Sequence, residues 1–271
     1  MKYNNRMKRI IVTGASGGMG LATVKKLAKE GYFVYALDIK ELNEDIENVK
    51  YIKTNLRDIS SIKDAYDIIA QDGNIDSIIS MAGIYDLNSL IEMSEEDFIK
   101  IFDINVFAIY RMNKMFLPLL NKKGKIIITS SELAPLDPLP FTGIYAITKT
   151  TIEHYAYSLR MELQLLDLQV IVIRPGAVDT TLLDVSTSRI DAFEKNTTLY
   201  TYNASKFKEI TNKVESKKIP PEKIANLAAK ILKKKKPKYV YKINRNPLLL
   251  MLNILPKRMQ NWAIRKILLK K

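Results

Sequence analysis

Thr13-Gly14-Ala15-Ser16-Gly17-Gly18-Met19-Gly20 follows directly on the apolar run Ile10-Ile11-Val12 and leads into a helical pattern. Glycines at such a junction permit a tight turn, let backbone N–H groups approach a pyrophosphate, and allow close packing of helix on strand. The helix N-terminus adds partial positive charge. An ordinary Gly-rich turn would meet only the first of these needs. The next apolar run, Phe33-Val34-Tyr35-Ala36-Leu37, ends in Asp38, close to the ~20-residue offset of a ribose-binding acid. Turn and acid together predict a dinucleotide-binding βαβ unit.

Outward from that unit, strand-like runs at 8–13, 33–38, 49–54, 75–82, 124–130, 168–174 and 238–243 alternate with helical patterns. This is the pattern of an α/β fold with a doubly wound parallel sheet, the Rossmann fold. A length of 271 residues, 47% of them hydrophobic, suits one such domain. We divide the chain into that domain, 1–245, and a basic apolar extension, 246–271. With no cysteine the chain has neither disulfides nor thiolate chemistry, which agrees with a reducing compartment. The single histidine, His154, cannot build a His-rich ligand set, so no metal is expected. Met1 to Lys8 is too short and too polar for a signal peptide.

In Ile144-Tyr145-Ala146-Ile147-Thr148-Lys149 a phenol and an ammonium stand four residues apart, on one helix face. A nearby cation favours the phenolate, so Lys149 is expected to draw the Tyr145 pKa down from about 10 towards working pH. Alone, such a pair is more often surface decoration. With the Gly-rich turn it makes the chain resemble the short-chain dehydrogenase/reductase family, hydroxysteroid-dehydrogenase-like in character, from about Arg9 to Thr181. The family's Thr-Gly-x-x-x-Gly-x-Gly falls on Thr13, Gly14, Gly18 and Gly20, and its Asn, Ser, Tyr, Lys set on Asn105, Ser131, Tyr145 and Lys149. Ser130 competes with Ser131, which is favoured because it lies nearer the family's usual distance before the Tyr.

The resemblance implies roles. Tyr145 would exchange the proton with the carbinol or carbonyl oxygen and Ser131 would hydrogen-bond that oxygen. Lys149 would lower the Tyr145 pKa and hold the nicotinamide ribose, and Asn105 would position a water linking Lys149 to solvent. Gly14, Ser16, Gly17, Gly18, Met19 and Gly20 would cradle the cofactor, with Asp38 on its ribose and Asn55 and Leu56 at its adenine. Ala82, Gly83, Tyr145 and Lys149 would flank the nicotinamide ribose, and Pro175, Gly176, Val178 and Thr180 the carboxamide. A carboxylate at Asp38 accepts from both ribose hydroxyls and repels a 2′-phosphate, and no basic residue precedes Lys25 in the turn, so NAD is expected over NADP; Lys40 keeps the question open. Two positions depart from the family. Ser80-Met81-Ala82-Gly83 stands where Asn-Asn-Ala-Gly is usual, so a strand-bracing hydrogen bond is either missing or made by Ser80. Asn55 replaces an Asp.

Leu182 to Ser216 corresponds to the family's mobile substrate loop. Its Leu183, Phe193, Leu199, Tyr200, Tyr202 and Phe207, with Phe141, would either line an apolar pocket or form small-helix core. From Lys233 onward there are thirteen Lys or Arg and no acid, against a whole-chain net charge of +14. The apolar run from Leu248 to Leu255 is too short to span a bilayer, which needs about 20 residues. Lys257 to Lys271 mixes Trp262, Ile264, Ile267, Leu268 and Leu269 with basic residues, as an interfacial helix on anionic lipid does. Packing against the fold or a sister subunit is a second reading of this tail, and binding an acidic protein or nucleic acid a third; nucleic acid is not among the expected partners. These readings converge on an NAD-dependent oxidoreductase interconverting a secondary alcohol and a ketone. Its expected substrate is lipophilic, such as a hydroxysteroid or long-chain alcohol. It would be cytoplasmic, peripheral on the inner membrane face, and a homo-oligomer, dimer or tetramer, as is common in the family. Reduction of a 3-oxoacyl thioester is the alternative enzyme reading. A dinucleotide-sensing or membrane-tethered module without turnover is the alternative of another class.

Overall fold

Alternate residues of the first strand bury against opposite layers: Ile10 and Val12 face one side of the sheet and Ile11 the other, all fully buried. A strand covered on both faces reads as a continuous apolar run, which is why these strands stand out in the sequence. A computed structural model describes residues 7–42, 44–215 and 217–269, the side chains of 181–188 and 214–215 excepted. Within it the chain runs β1 (Arg9–Thr13), α1 (Gly18–Lys29), β2 (Phe33–Asp38), β3 (Val49–Lys53), α2 (Ile59–Asp72), β4 (Ile75–Ser80) and α3 (Glu95–Phe102). A π-helical turn, Asp103–Phe107, leads into α4 (Ala108–Phe116), β5 (Leu120–Thr129), α5 (Gly143–Leu163), β6 (Gln169–Pro175), α6 (Thr181–Asn196) and α7 (Thr201–Glu215). The chain then forms α8 (Glu222–Lys233), β7 (Val240–Ile243), α9 (Pro247–Ile254) and α10 (Lys257–Leu268).

All neighbouring strands are parallel, in the order β3-β2-β1-β4-β5-β6-β7. α1 and α8 cover one face, through Val24, Leu27, Ile224 and Ile231. α2 and α4 cover one half of the other face through Ile62, Ile69 and Phe116, and α5 covers the rest through Ile152 and Ala156. Strand order reverses between β1 and β4, so their carboxyl ends diverge and leave a crevice, the place where open α/β sheets bind ligands. Each expected strand is present within a few residues of its predicted bounds.

The expected substrate loop is instead two helices, α6 and α7, because an inward apolar face gives them something to bury. Phe193 and Phe207 bury against Phe141, whose ring lies 4.8 Å from Phe193, 5.2 Å from Tyr200 and 5.3 Å from Phe207. Those aromatics form core, with Phe207 also lining an apolar cavity, whereas Leu199 and Tyr202 are exposed and the Leu183 side chain lies outside the described residues. The C-terminal extension folds back on the body. Asn246 N–H donates to Glu132 Oε2 at 2.6 Å, Asp137 N–H donates to Asn253 Oδ1 at 2.8 Å, Lys257 pairs with Asp137, and Asn203 Nδ2 donates to the Leu268 carbonyl at 2.7 Å. Leu268 and Ile264 of α10 pack with Leu87, Ile190 and Phe207. Among the described residues no helix is long and apolar enough to cross a membrane.

Candidate active site

Gly14 sits at φ +68°, a region that side chains with a Cβ rarely enter, and a Cβ there would stand 2.6 Å from the Ala82 nitrogen. The turn therefore presses its backbone onto the end of β4. A Cβ on Gly20 would collide with the Gly14 carbonyl, so α1 starts tight against the same turn. No side chain caps the N-terminus of α1 and its first turn holds no acid, which leaves its first N–H groups and positive dipole end available to an anion. The cradle and the free helix end fit a dinucleotide pyrophosphate. One groove is lined by Gly14, Ser16, Gly17, Gly18, Met19, Gly20, Asp38, Lys40, Asn55, Leu56, Ala82, Gly83 and Thr180, together with Ile39, Thr54, Arg57 and Ile104, which sequence reading did not single out.

Asp38, at the end of β2, is oriented by backbone donors: Ser16 N–H reaches Oδ2 at 2.9 Å and Lys40 N–H reaches Oδ1 at 3.0 Å. The Arg57 guanidinium in the same groove is engaged by Asp103, Nε to Oδ2 at 2.9 Å. Ser80 does not brace the strand end, since its buried hydroxyl has no partner among the described residues. Thr13 takes that place, accepting from Met81 N–H at 3.3 Å and Ala82 N–H at 3.4 Å, while Thr23 donates to the Met81 sulfur at 3.3 Å.

Beyond Met81, Gly83 and Thr180 the groove passes into a second cavity lined by Ser131, Tyr145, Lys149, Pro175, Gly176 and Val178. Tyr145 and Lys149 sit one turn apart on α5, both buried, with the ammonium 5.5 Å from the phenol ring centre. The Ser131 hydroxyl hydrogen-bonds the phenol and accepts from Leu133 N–H at 3.2 Å. Ser130 turns away, donating to Glu153 Oε1 at 2.8 Å, where Glu153 also pairs with Arg174. Asn105 is fully buried in the π-helical turn; its Oδ1 accepts from Ile84 N–H at 2.8 Å and its Nδ2 donates to the Ile84 carbonyl at 2.9 Å and to Thr148 Oγ1 at 3.1 Å. A Cβ on Gly83 would lie 3.2 Å from Asn105 Oδ1 and 3.5 Å from Lys149 Nζ, so Gly83 keeps those groups together.

The expected depression of the Tyr145 pKa is not what this arrangement produces. Burial pushes the phenol up to about 12, aided by the Glu132 carboxylate and opposed by the Ser131 hydrogen bond. Burial likewise pushes Lys149 down to about 8, its ammonium donating to the Thr129 carbonyl at 3.3 Å. Both groups lose water, and desolvation is the largest cause of each shift. Near neutral pH the site holds a protonated phenol beside a weakly held ammonium. Among the described residues no cluster of His, Cys, Asp or Glu could hold a metal.

A dinucleotide-shaped groove opening onto a buried phenol, hydroxyl and ammonium defines a nicotinamide-dependent oxidoreductase. Residues 8–191 match the short chain dehydrogenase family, and the chain belongs to it. It is thus an enzyme class acting on CH–OH or keto groups with a nicotinamide dinucleotide. A relative from Bacteroides thetaiotaomicron named 3-ketodihydrosphingosine reductase is 28% identical over 264 residues, covering 94% of this chain and 96% of its own. Mouse estradiol 17-beta-dehydrogenase 2 is 30% identical over 189 residues, 65% of this chain and 49% of its own. Ligand-free aldohexose dehydrogenase from Thermoplasma acidophilum superposes with a TM-score of 0.73 at 22% identity, covering 89% of this chain and 96% of its own.

Proposed function

We propose that the protein interconverts a lipophilic secondary alcohol and its ketone, using NAD in preference to NADP. The observation that carries this is the second cavity: Tyr145 and Ser131, hydrogen-bonded to each other, face a space walled by Ile84, Leu133, Leu139, Phe207, Ile210 and Leu249. A nicotinamide dinucleotide held by the Gly14–Gly20 turn and Asp38 would supply the hydride chemistry. Ser131 holds the substrate oxygen, and Tyr145 Oη gives or takes its proton. Lys149 supports charge on that oxygen and holds the ribose, and Asn105 fixes the backbone of Ile84 beside it. A phenol protonated at neutral pH is the form that reduction uses. For the coenzyme, Asp38 presents a carboxylate already oriented by two backbone N–H groups, which favours ribose hydroxyls and disfavours a phosphate.

The relative covering nearly the whole chain, a reductase of a 3-keto sphingoid compound by name, supports a lipophilic ketone. The extension supports a membrane as the source of such a substrate. Leu248, Met251, Ile254, Met259 and Trp262 are exposed on α9 and α10 among Lys257, Arg258, Arg265 and Lys266, while Leu249 turns inward to the cavity. In this reading the two leading alternatives for the tail combine: one face packs on the body and the other would meet anionic lipid. Full-length protein should sediment with anionic vesicles, and binding equal to that with neutral vesicles removes the membrane reading. Phe107 and Tyr110 at the start of α4, with Ile147, Tyr157 and Met161 of α5, expose an apolar face that suits a homo-oligomer.

The deciding experiment follows absorbance with NAD and NADP over hydroxysteroids and long-chain secondary alcohols, for wild type and Tyr145→Phe. Turnover with NAD that drops by about 10²- to 10⁴-fold in the variant is expected. If wild type binds NADH yet turns over no member, the lipophilic-alcohol reading falls and an acyl thioester or a sensing role replaces it.

A further inference from the structure

Asp103 is the first residue of the π-helical turn that carries Asn105, and each of its two oxygens accepts from a different arginine. Arg57 Nε donates to Oδ2 at 2.9 Å and Arg111 Nη1 to Oδ1 at 2.6 Å. Arg57 lines the dinucleotide groove with Leu56 and Ile104, and Arg111, on α4, also donates to the Leu56 carbonyl at 3.3 Å. The loop after β3, the π turn and α4 therefore meet on one carboxylate. Burial works to raise that carboxyl, yet the two guanidinium groups hold it below its usual range, so it is charged at neutral pH.

Asn105, two residues on, reaches the reacting end of the site. Its amide brackets the Ile84 backbone and donates to Thr148, whose Oγ1 donates to the Tyr145 carbonyl at 2.8 Å. Ile84 and Tyr145 both line the substrate cavity. β3 is the outer strand of the sheet, with β2, β1 and β4 between it and β5, so these hydrogen bonds join the two ends of the site. Isolated π turns are rare and are frequent at functional positions.

We propose that Asp103 is a positioning residue that couples the adenosine end of the groove to Asn105, so that binding the unreactive half of the cofactor orders the reactive half of the site. This rests on the dinucleotide reading of the groove. Asp103 itself lines neither the groove nor the cavity and acts through Asn105. An adenosine seated against Leu56 and Arg57 would restrain the loop after β3, and through Asp103 the π turn. Asn105 would then hold Ile84 and Thr148 in one arrangement beside Lys149. Binding energy from a remote group is in this way used for orientation at the reacting centre.

The test uses 5′-AMP, which carries the adenosine and one phosphate but no nicotinamide. Ile84 lies outside the strands and helices and its N–H is bonded to Asn105, so its amide exchange reports on the far end. In wild type, saturating AMP should slow exchange at Ile84 by about fivefold or more, an ordinary strength for coupling between two sites. In Asp103→Asn, which keeps the shape and loses the charge, and in Arg111→Gln, that slowing should disappear. AMP should still bind both variants by calorimetry and still protect the Gly14–Gly20 turn. A residue that only stabilised the fold would change exchange at Ile84 without AMP and leave the AMP response intact. An equal response in wild type and both variants therefore overturns the coupling, as does a wild type that binds AMP with no change at Ile84. Wild type that binds NADH but not AMP overturns it too, because the adenosine end would then hold nothing by itself. Failure to bind NADH at all would remove the dinucleotide reading, and the coupling with it.

Discussion

The dinucleotide groove and the substrate cavity share a wall of Met19, Met81, Gly83, Ile84 and Thr180, yet they are made of different material. The groove is built on the turns at the ends of β1, β2, β3 and β4, the first held so close that Gly14 and Gly20 admit no Cβ. The cavity is mostly side chains brought from far apart, the 131–142 loop, α5, α7 and finally Leu249 of α9. Where backbone must touch a ligand, few residue types fit and the motif is forced. Where an apolar wall suffices, many sequences serve. Substitutions that affect one half and spare the other measure how separate the two are.

The largest effect is expected where the halves meet. Lys149 is a buried ammonium with one hydrogen bond to a carbonyl, its pKa depressed to about 8 by burial. A lowered Lys pKa means the folded state pays to keep the charge, so below pH 8 the native protein is less stable than it would be with a neutral residue. Lys149→Met should abolish turnover and yet stabilise the fold by up to about 3 kcal/mol at pH 7. Between pH 8 and 10.5 the unfolded chain holds more protons than the folded one, so wild-type stability climbs and the advantage shrinks. Chemical denaturation at pH 7 and pH 10 reads this directly. A variant less stable at pH 7 would show that the ammonium supports the fold.

A smaller effect belongs to the groove alone. Asp38→Ser removes the carboxylate while leaving a short acceptor for Ser16 N–H. The NAD over NADP preference in kcat/KM should fall by about 10- to 100-fold, the worth of a hydrogen bond to a charged group. Dependence on the alcohol's chain length should not change. An unaltered coenzyme ratio would show that the Asp38 carboxylate does not set the preference.

That difference in material also explains what the sequence disclosed. The strands were legible because burial on both faces writes runs such as Ile126-Ile127-Ile128 and Val170-Ile171-Val172-Ile173, and their alternation with helices implied a parallel sheet, though not the order of its strands. The groove residues from Gly14 to Asp38 were nameable because they lie on one βαβ unit with a recognisable pattern, and those from Asn55 to Thr180 were named only through the family resemblance. Thr13 as the brace for Met81 and Ala82 was hidden, since it is a through-sheet contact with no local pattern. The phenol's pKa was misjudged for a related reason: spacing reveals the neighbouring ammonium but not the depth at which both groups are buried. Glu132 carries no sequence signal, and only the fold brings Pro175, Gly176 and Asn246 around it. α6 and α7 were taken for loop because their apolar residues are sparse, and they become helix where Phe141, held at φ +64°, offers its ring as a base.

The smallest effect probes whether the extension belongs to the site at all. Leu249 lines the cavity from α9 while its neighbour Leu248 is exposed, so trimming the inner side chain should alter substrate binding with little change on the outer surface. Leu249→Ala removes part of one apolar wall some distance from the proton-transfer groups. A few methyl-sized contacts in such a pocket are worth about 1–2 kcal/mol, so KM for a long-chain substrate should rise by roughly 5- to 20-fold. The contact is made equally in the ground and transition states, so kcat should hold, and NADH affinity should not move because Leu249 does not line the groove. Steady-state kinetics with substrates of increasing chain length would show the loss growing until the chain reaches Leu249 and then levelling. An unchanged KM at every length would place the extension outside the site, and the cavity would then end at Phe207 and Ile210.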